Sequence, residues 1–420
     1  MTPPRPPVVF ASPGVARDGI LVADSLRRAG LLRAFATTWV LPDGPAAHSL
    51  PTALRERLSR RLVPPPLARL TDCYPAWQVA RQMATECGAG PRLLHRLWAA
   101  GEAGFDRQVA ARWAGRVPVL YGVEHATAGA FRRHKERGGH TLLWQVIAHP
   151  QFLNRMVGAE LEAFPALAGP ASTLWRADLT RSTAQKERQI ADADQVVAIS
   201  PFVARTFIDA GVPADRVVCV PSPCPPPAAE PPPPAAGRRV LAAGTLGFRK
   251  GTHLLLEAWR RLRPGAGAEL LLVGGSMLPP TALADLPAGV RVLPAVSQPA
   301  LRRLFRTSLV LALPTLAEGR ANVVLEALAE GLPVVTTPNA GCCDLVVAGR
   351  TGWLVPAGDV GVLADRLGWV LDHPAAVREL GPACLATAAG WQADDFHAAH
   401  LAVVRRFLAG RGLAAPEVSG

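Results

Sequence analysis

The chain has 420 residues, 49% apolar and 19% charged, with seven cysteines and a formal net charge of +12. That length exceeds one ordinary core and predicts two domains, while the composition excludes a disordered or low-complexity chain. No apolar run approaches the roughly 18 residues that would span a bilayer.

The N-terminus, "MTPPRPPVVFASPGV", is too broken by proline for a signal peptide, so a cytoplasmic location is expected. The cysteines (73, 87, 219, 224, 342, 343 and 384) show no CxxC spacing and indicate neither a disulfide framework nor a zinc site. Cys342 and Cys343 read as small thiols of the interior. Charge is uneven: residues 1–222 carry 27 Lys+Arg against 18 Asp+Glu, a net of +9, and the rest 18 against 15, a net of +3. Lysine occurs only at 135, 186 and 250, so the basic residues are almost all Arg. Such a surface suits an anionic partner, either a phosphorylated substrate or membrane headgroups. Nucleic acid is not expected, because the Arg clusters lack interleaved aromatics or a helix-turn-helix pattern.

In chain order, "VVFASPG" (8–14) reads as a buried strand ending in Pro-Gly, and "ARDGILVADSLRRAG" (16–30) as a helix stopped by Gly30. "VPVLYGVEH" and "HTLLWQVIAHP" are further strands. In "QVVAISPFVARTFIDAGVPADRVVCVP" (195–221), Ser200 is the expected N-cap, Pro201 the first helical residue and Gly211 the stop, with a strand on either side. The Pro-rich stretch 220–239 predicts a stiff, extended spacer. Beyond it come strand "RRVLAAG", helix "GTHLLLEAWRRL", strand "ELLLVGG", helix "QPALRRLFRTS", strand "LVLALP", helix "VVLEALAE", strand "LPVVTTP" and a final amphipathic helix over 394–410. Alternation of this kind predicts two α/β domains, each a doubly wound parallel sheet covered by helices on both faces, facing a central cleft. The expected boundaries are 1–222, a linker at 223–238, a second domain at 239–390, and a C-terminal helix within 391–420 that crosses back to the first domain.

The richest stretch is "LAEGRANVVLEALAEGLPVV" (316–335). Asn322 is its expected N-cap. An eight-residue step is about 80° out of phase on a helix, so Glu318 and Glu326 do not share one face. Glu318 belongs on the loop and Glu326 in the second helical turn, beside a helix N-terminus that favours anions. Glu330 is expected to be solvated.

The segment "EGRANVVLEALAEGLPVVTTPNAGCCDLVVAGRTGWLVPAGD" (318–359) resembles the E-x7-E region of the family 4 retaining glycosyltransferases of GT-B fold. The Asn339-Ala340-Gly341 loop, Asp344 and the "GTG-x-LVP-x-GD"-like ending lie in register with it. "AAGTLGFRKGTHLLLEAWRRL", "LLLVGG" and "SPGVARDGILVADSLRRAG" resemble other segments of that family, so the likeness covers most of the chain outside roughly 40–120. The resemblance implies transfer of a sugar from a nucleotide-diphosphate sugar to a glycan or lipid-linked acceptor hydroxyl, with the anomeric configuration kept. It implies a front-face substitution without a metal or other cofactor, in cell-envelope or extracellular polysaccharide synthesis; the basic first half separately suggests an anionic membrane surface as a partner, with the protein peripheral on it.

Residue by residue, it implies that Glu326 holds the donor ribose and Glu318 the transferred sugar. Gly319, Arg320, Ala321 and Asn322 line the sugar and diphosphate through their backbone. Lys250, with Arg249, neutralises the departing diphosphate, and Gly14 lets the backbone approach it. His149 takes a place near the donor sugar, and His125 is a candidate on the acceptor side. The chain departs from the family at Thr245, which follows Gly244 where an Arg is common; Arg249 is the candidate replacement. A sugar-nucleotide epimerase of the same architecture, or a catalytically weakened nucleotide-sugar-binding protein, is the alternative reading. "DAD" (192–194) matches a metal-binding D-x-D only formally, and no P-loop or GxGxxG dinucleotide motif is present.

Overall fold

Short apolar runs bounded by Gly, Pro or Ser become strands here, buried on both faces because helices cover each sheet. The computed structural model describes residues 6–14, 17–51, 55, 58, 61–167, 182–230 and 237–413. In the first half the strands are β1 (Val8–Ala11), β2 (Leu32–Thr37), β3 (Leu41–Pro42), β4 (Leu62–Val63), β5 (Thr71–Cys73), β6 (Val119–Val123), β7 (His140–Gln145), β8 (Gln195–Ala198) and β9 (Val217–Cys219). In the second half they are β10 (Arg238–Ala243), β11 (Ala268–Val273), β12 (Val290–Leu293), β13 (Val310–Leu313), β14 (Val334–Thr336) and β15 (Gly352–Leu354).

Two sheets result. The first runs β5-β2-β1-β6-β7-β8-β9 and the second β12-β11-β10-β13-β14-β15; β3 and β4 pair apart from both. Pairing is parallel in each, as with Val8 to Ala11 against Val119 to Gly122 and Arg238 to Ala243 against Ala268 to Val273. Parallel pairing sends every carboxyl edge to one end of its sheet, and the loops that leave those edges build the site.

Local signals carry most of this. Ser200 caps the helix Pro201–Asp209 by accepting from Val203 N, and Gly211 follows with φ +91°. Asn322 is not the cap of the helix Asn322–Ala329 but its first residue, and Ala321 takes the cap position with no side-chain bond. The turn is set instead by the backbone, Ala321 N donating to Ala340 O at 2.9 Å.

The proline-rich stretch is a docked strap rather than a free spacer. Val220 N and Ser222 N donate to Ala198 O and Ile199 O beside the first sheet, whereas Cys224 N and Ala228 N donate to Trp391 O and Ala329 O of the second half. Arg17 adds bonds to the carbonyls of Pro223 and Cys224, both at 3.0 Å. Residues 231–236 lie outside the described residues.

The last helix, Ala393–Ala409, lies against the first half of the chain. Phe396 and His400 pack edge-on against Trp144 of β7, and the His400 ring stacks on Tyr121 of β6. His397 Nδ1 shares a hydrogen bond with Ser25 Oγ of the helix Arg17–Arg28. His400 is fully buried, and that burial, helped by neighbouring His397, pushes its imidazole from the ordinary 6.5 down to about 3.

Two outcomes are expected. Phe396→Ala removes a fully buried ring and should cost about 3–5 kcal/mol, read as a lower melting temperature by calorimetry. The unfolded chain takes up a proton on His400 that the folded chain excludes. Its share of stability is therefore complete above 6.5 and is lost progressively as pH falls towards about 3. A His400→Leu variant should flatten that part of the pH–melting curve.

Candidate functional site

The site begins where β10 and β13 end. The loop leaving β10 carries Arg249 and Lys250, and the loop leaving β13 carries Glu318. Gly251, with φ +69°, sits so close to the carbonyl of Pro314 that a Cβ there would collide with it. Thr315 Oγ1 and Leu316 N both donate to Arg249 O, at 2.7 and 2.9 Å. These bonds stitch the loops together and bring both cations onto one carboxylate: Arg249 Nη1 and Lys250 Nζ each lie 2.6 Å from Glu318 Oε1. Burial alone would push the Glu318 carboxyl up, but Arg249 and then Lys250 outweigh it and bring it down to about 2. At neutral pH the group is an ionised hydrogen-bond acceptor beside two cations.

Glu326 stands in the second turn of the following helix, partly exposed. Glu330 is not solvated as expected: it is 8% exposed, because the helix Gln298–Thr307 covers it and brings Arg302 and Arg306 within 3.6 and 3.7 Å. Arg320 places its backbone in the loop, but its side chain points away from it as a staple. Nη1 and Nη2 each lie 2.9 Å from Asp344 oxygens, and Nε donates to Ser222 O of the strap.

Gly319 is where the two halves meet. A Cβ there would fall inside the carbonyl of Val146, in the loop leaving β7. Its own carbonyl accepts from Ser200 Oγ at 2.6 Å, so one hydroxyl caps a helix of the first half and holds a loop of the second.

The remaining predicted residues lie around this junction. His149 is 4% exposed and caps the helix Pro150–Ala163 through Nδ1, its ring edge-on to Phe207, and burial lowers its basicity. Thr245 is exposed at the carboxyl edge of β10. Gly244 has φ +124°, a conformation that glycine supplies, and the Lys250 chain lies beside it. Gly14 is exposed in the loop after β1. His125 lies in the turn after β6, beside Glu102 and Glu124.

Sequence reasoning missed the Arg320–Asp344 staple, the double role of Ser200, and the partners of His125. Asp344 in the resembling segment and Glu124 adjacent to His125 were the signals available; Glu102 has none, since 23 residues and a helix separate it from His125. Among the described residues no group of three His, Cys, Asp or Glu could hold a metal. Asp194 of "DAD" pairs with Lys135 and accepts from Thr141 N, a structural role.

Residues 237–373 match the family model of glycosyl transferases group 1. The match spans 137 residues, about a third of the chain, and includes Arg249, Lys250, Glu318 and Glu326. A D-inositol 3-phosphate glycosyltransferase of Nocardia farcinica is 29% identical over 235 residues, 49% of this chain and 51% of its own. The amylovoran biosynthesis glycosyltransferase AmsK of Erwinia amylovora is 32% identical over 141 residues, 31% of this chain and 35% of its own. The chain thus spans about half, or less, of the length of these curated relatives. Sucrose-phosphate synthase of Thermosynechococcus elongatus superposes with a TM-score of 0.62 at 18% identity, covering 97% of this chain and all of that one. Anabaena HepE in complex with UDP-glucose superposes at 0.60 and 14% identity, covering 95% and 99%. The fold is GT-B.

Gly319→Ala should separate the two halves without unfolding either. The expected reading is a larger radius of gyration in small-angle scattering with an unchanged circular dichroism spectrum.

Proposed function

We propose that the protein is a retaining, metal-independent glycosyltransferase moving a sugar from a nucleotide-diphosphate sugar to an acceptor hydroxyl, in polysaccharide or glycolipid synthesis. The observation that carries this reading is the Arg249–Glu318–Lys250 cluster at the carboxyl edges of β10 and β13. It is supported by the family match over the same residues and by HepE, whose structure holds UDP-glucose.

In this reading the diphosphate of an entering donor shares the two cations, which stabilise the charge that develops on the leaving group. That role needs no divalent ion. Glu318, with its carboxyl near 2, stays ionised and accepts hydrogens from the sugar hydroxyls rather than donating a proton. Glu326 takes the ribose hydroxyls, while the backbone of Gly319 to Asn322 and of Gly14 lines sugar and diphosphate. Arg249 fills the place of the cation that Thr245 does not supply. Front-face displacement keeps the anomeric configuration, the leaving phosphate oxygen receiving the acceptor proton. Closure of the Gly319 loop on Val146 excludes water, whose attack would waste the donor. The basic first half suits an acceptor carried at an anionic membrane surface on the cytoplasmic side. No helix among the described residues is long and apolar enough to cross a membrane.

Thermal-shift measurements with UDP, GDP and ADP sugars should give stabilisation by one nucleotide class; no shift with any at about 1 mM would overturn the reading. Glu326→Ala should weaken that nucleotide by about tenfold to a hundredfold, the worth of a hydrogen bond to a charged group. Lys250→Ala should lower turnover about 100- to 1000-fold, measured as nucleoside diphosphate release.

A further inference from the structure

The carboxyl edges of β6 and β7 hold a group of charged side chains that the donor reading leaves unused. His125 has φ +55°, in the left-handed region that residues other than glycine rarely occupy; among the described non-glycine residues only Arg263 shares it. The turn sets its ring between two acids. Nε2 lies 3.1 Å from Glu102 Oε2, on the long helix Pro91–Trp113, and Nδ1 lies 3.6 Å from Glu124 Oε1. The same Glu124 oxygen is 3.6 Å from Lys186 Nζ, and its other oxygen accepts from Gln145 Nε2. Charges therefore alternate along Glu102, His125, Glu124 and Lys186. Burial alone would push the imidazole down, but Glu102 and Glu124 outweigh it and raise it to about 9. The ring is an imidazolium that holds two carboxylates in place.

The group borders the donor site. Gln145 Nε2, which bonds Glu124, also donates to Ile147 O at 3.0 Å. The adjacent residue, Val146, is the one whose carbonyl packs on Gly319. One side chain and one tight loop thus connect Glu124 to the loop of Glu318.

Its chemistry is selective. Nε2 of His125 faces Glu102, and Nδ1 is buried at 3.6 Å from Glu124, so neither nitrogen is open to a ligand. Glu124 is 7% exposed and occupied by Lys186, His125 and Gln145. Among the described residues His125 is the ion-pair partner of Glu102, whose side chain retains 18% exposure. What it offers a ligand is carboxylate lone pairs, which accept hydroxyl hydrogens and repel phosphate or carboxylate. Trp98, half-buried with its ring 5.8 Å from that of His125, adds an apolar wall.

We propose that Glu102 and Trp98, held in place by His125, Glu124 and Lys186, form the acceptor subsite, and that it takes an uncharged, hydroxyl-rich ring, a neutral sugar or polyol, in preference to a phosphorylated or carboxylated one. The assignment of an acceptor rests on the glycosyl-transfer reading above; the preference for neutral hydroxyls rests on the side chains alone. Saturation-transfer NMR on the full chain tests it. The probes are methyl glycosides of glucose, galactose, mannose and N-acetylglucosamine, and myo-inositol, each set against glucose 6-phosphate, inositol 1-phosphate and glucuronate. At least one neutral ring should bind the wild type, and more tightly than any anionic one. Glu102→Gln should weaken that ring about tenfold, the loss of one charge-assisted hydrogen bond, and narrow the gap to the anionic rings. Three results each overturn the proposal: an anionic ring bound at least as tightly as the neutral ones, no neutral ring bound, or Glu102→Gln without effect. Nucleotide titration of the same samples reports separately on the donor reading and, where a nucleotide binds, shows that the variant is folded.

Discussion

A carboxylate removed from water needs compensation, and the arrangement around Glu318 follows from how this chain supplies it. Two cations on one neighbouring loop meet one Glu318 oxygen, which requires the loops after β10 and β13 to touch. Gly251 against Pro314, and the bonds of Thr315 and Leu316 to Arg249, are the backbone consequences of that requirement. The same loop then presents Gly319 to Val146 and Ser200, so the charge cluster of one sheet is registered against the other. Both cations are held in orientation before any ligand enters, which is the preorganisation that the proposed transfer requires.

Local features were legible in the sequence because they depend on neighbours in the chain. The strand–helix alternation, the Ser200 cap, the stop at Gly211 and the separation of Glu318 from Glu326 are of this kind. Glu330 shows where that legibility ends: its own helix leaves it at a polar end, and only the packing of the Gln298–Thr307 helix buries it between two arginines. Asn322 lost its expected capping role to a backbone bond from Ala321 to Ala340, a contact across a loop. The docking of the proline-rich segment was not legible, since its partners Ile199 and Trp391 lie far from it in sequence or on other elements. His125 was visible as a candidate, whereas its charge state depends on Glu102, brought to it by a separate helix.

Surface and site differ in electrostatic sense. The first half of the chain carries a net charge of +9, from 27 Lys+Arg against 18 Asp+Glu, yet the group at the carboxyl edge of its sheet offers carboxylate oxygen to a ligand. Long-range attraction and short-range recognition are separable, because a surface field acts over roughly 10 Å while a hydrogen bond acts at contact. A molecule with an anionic carrier and a neutral, hydroxylated end would satisfy both.

The docking of Ala393–Ala409 against Trp144 and Tyr121 has a consequence for biosynthesis. The first sheet is encoded early, but the helix that packs against it follows every strand of the second sheet in the chain. Until it is made the surface that receives Phe396 and His400 stays uncovered, although every strand beneath it has already been made. Completion of the nascent first half therefore waits on translation of the second sheet, and a stop codon ahead of residue 393 would damage the half of the protein that had long since been synthesised.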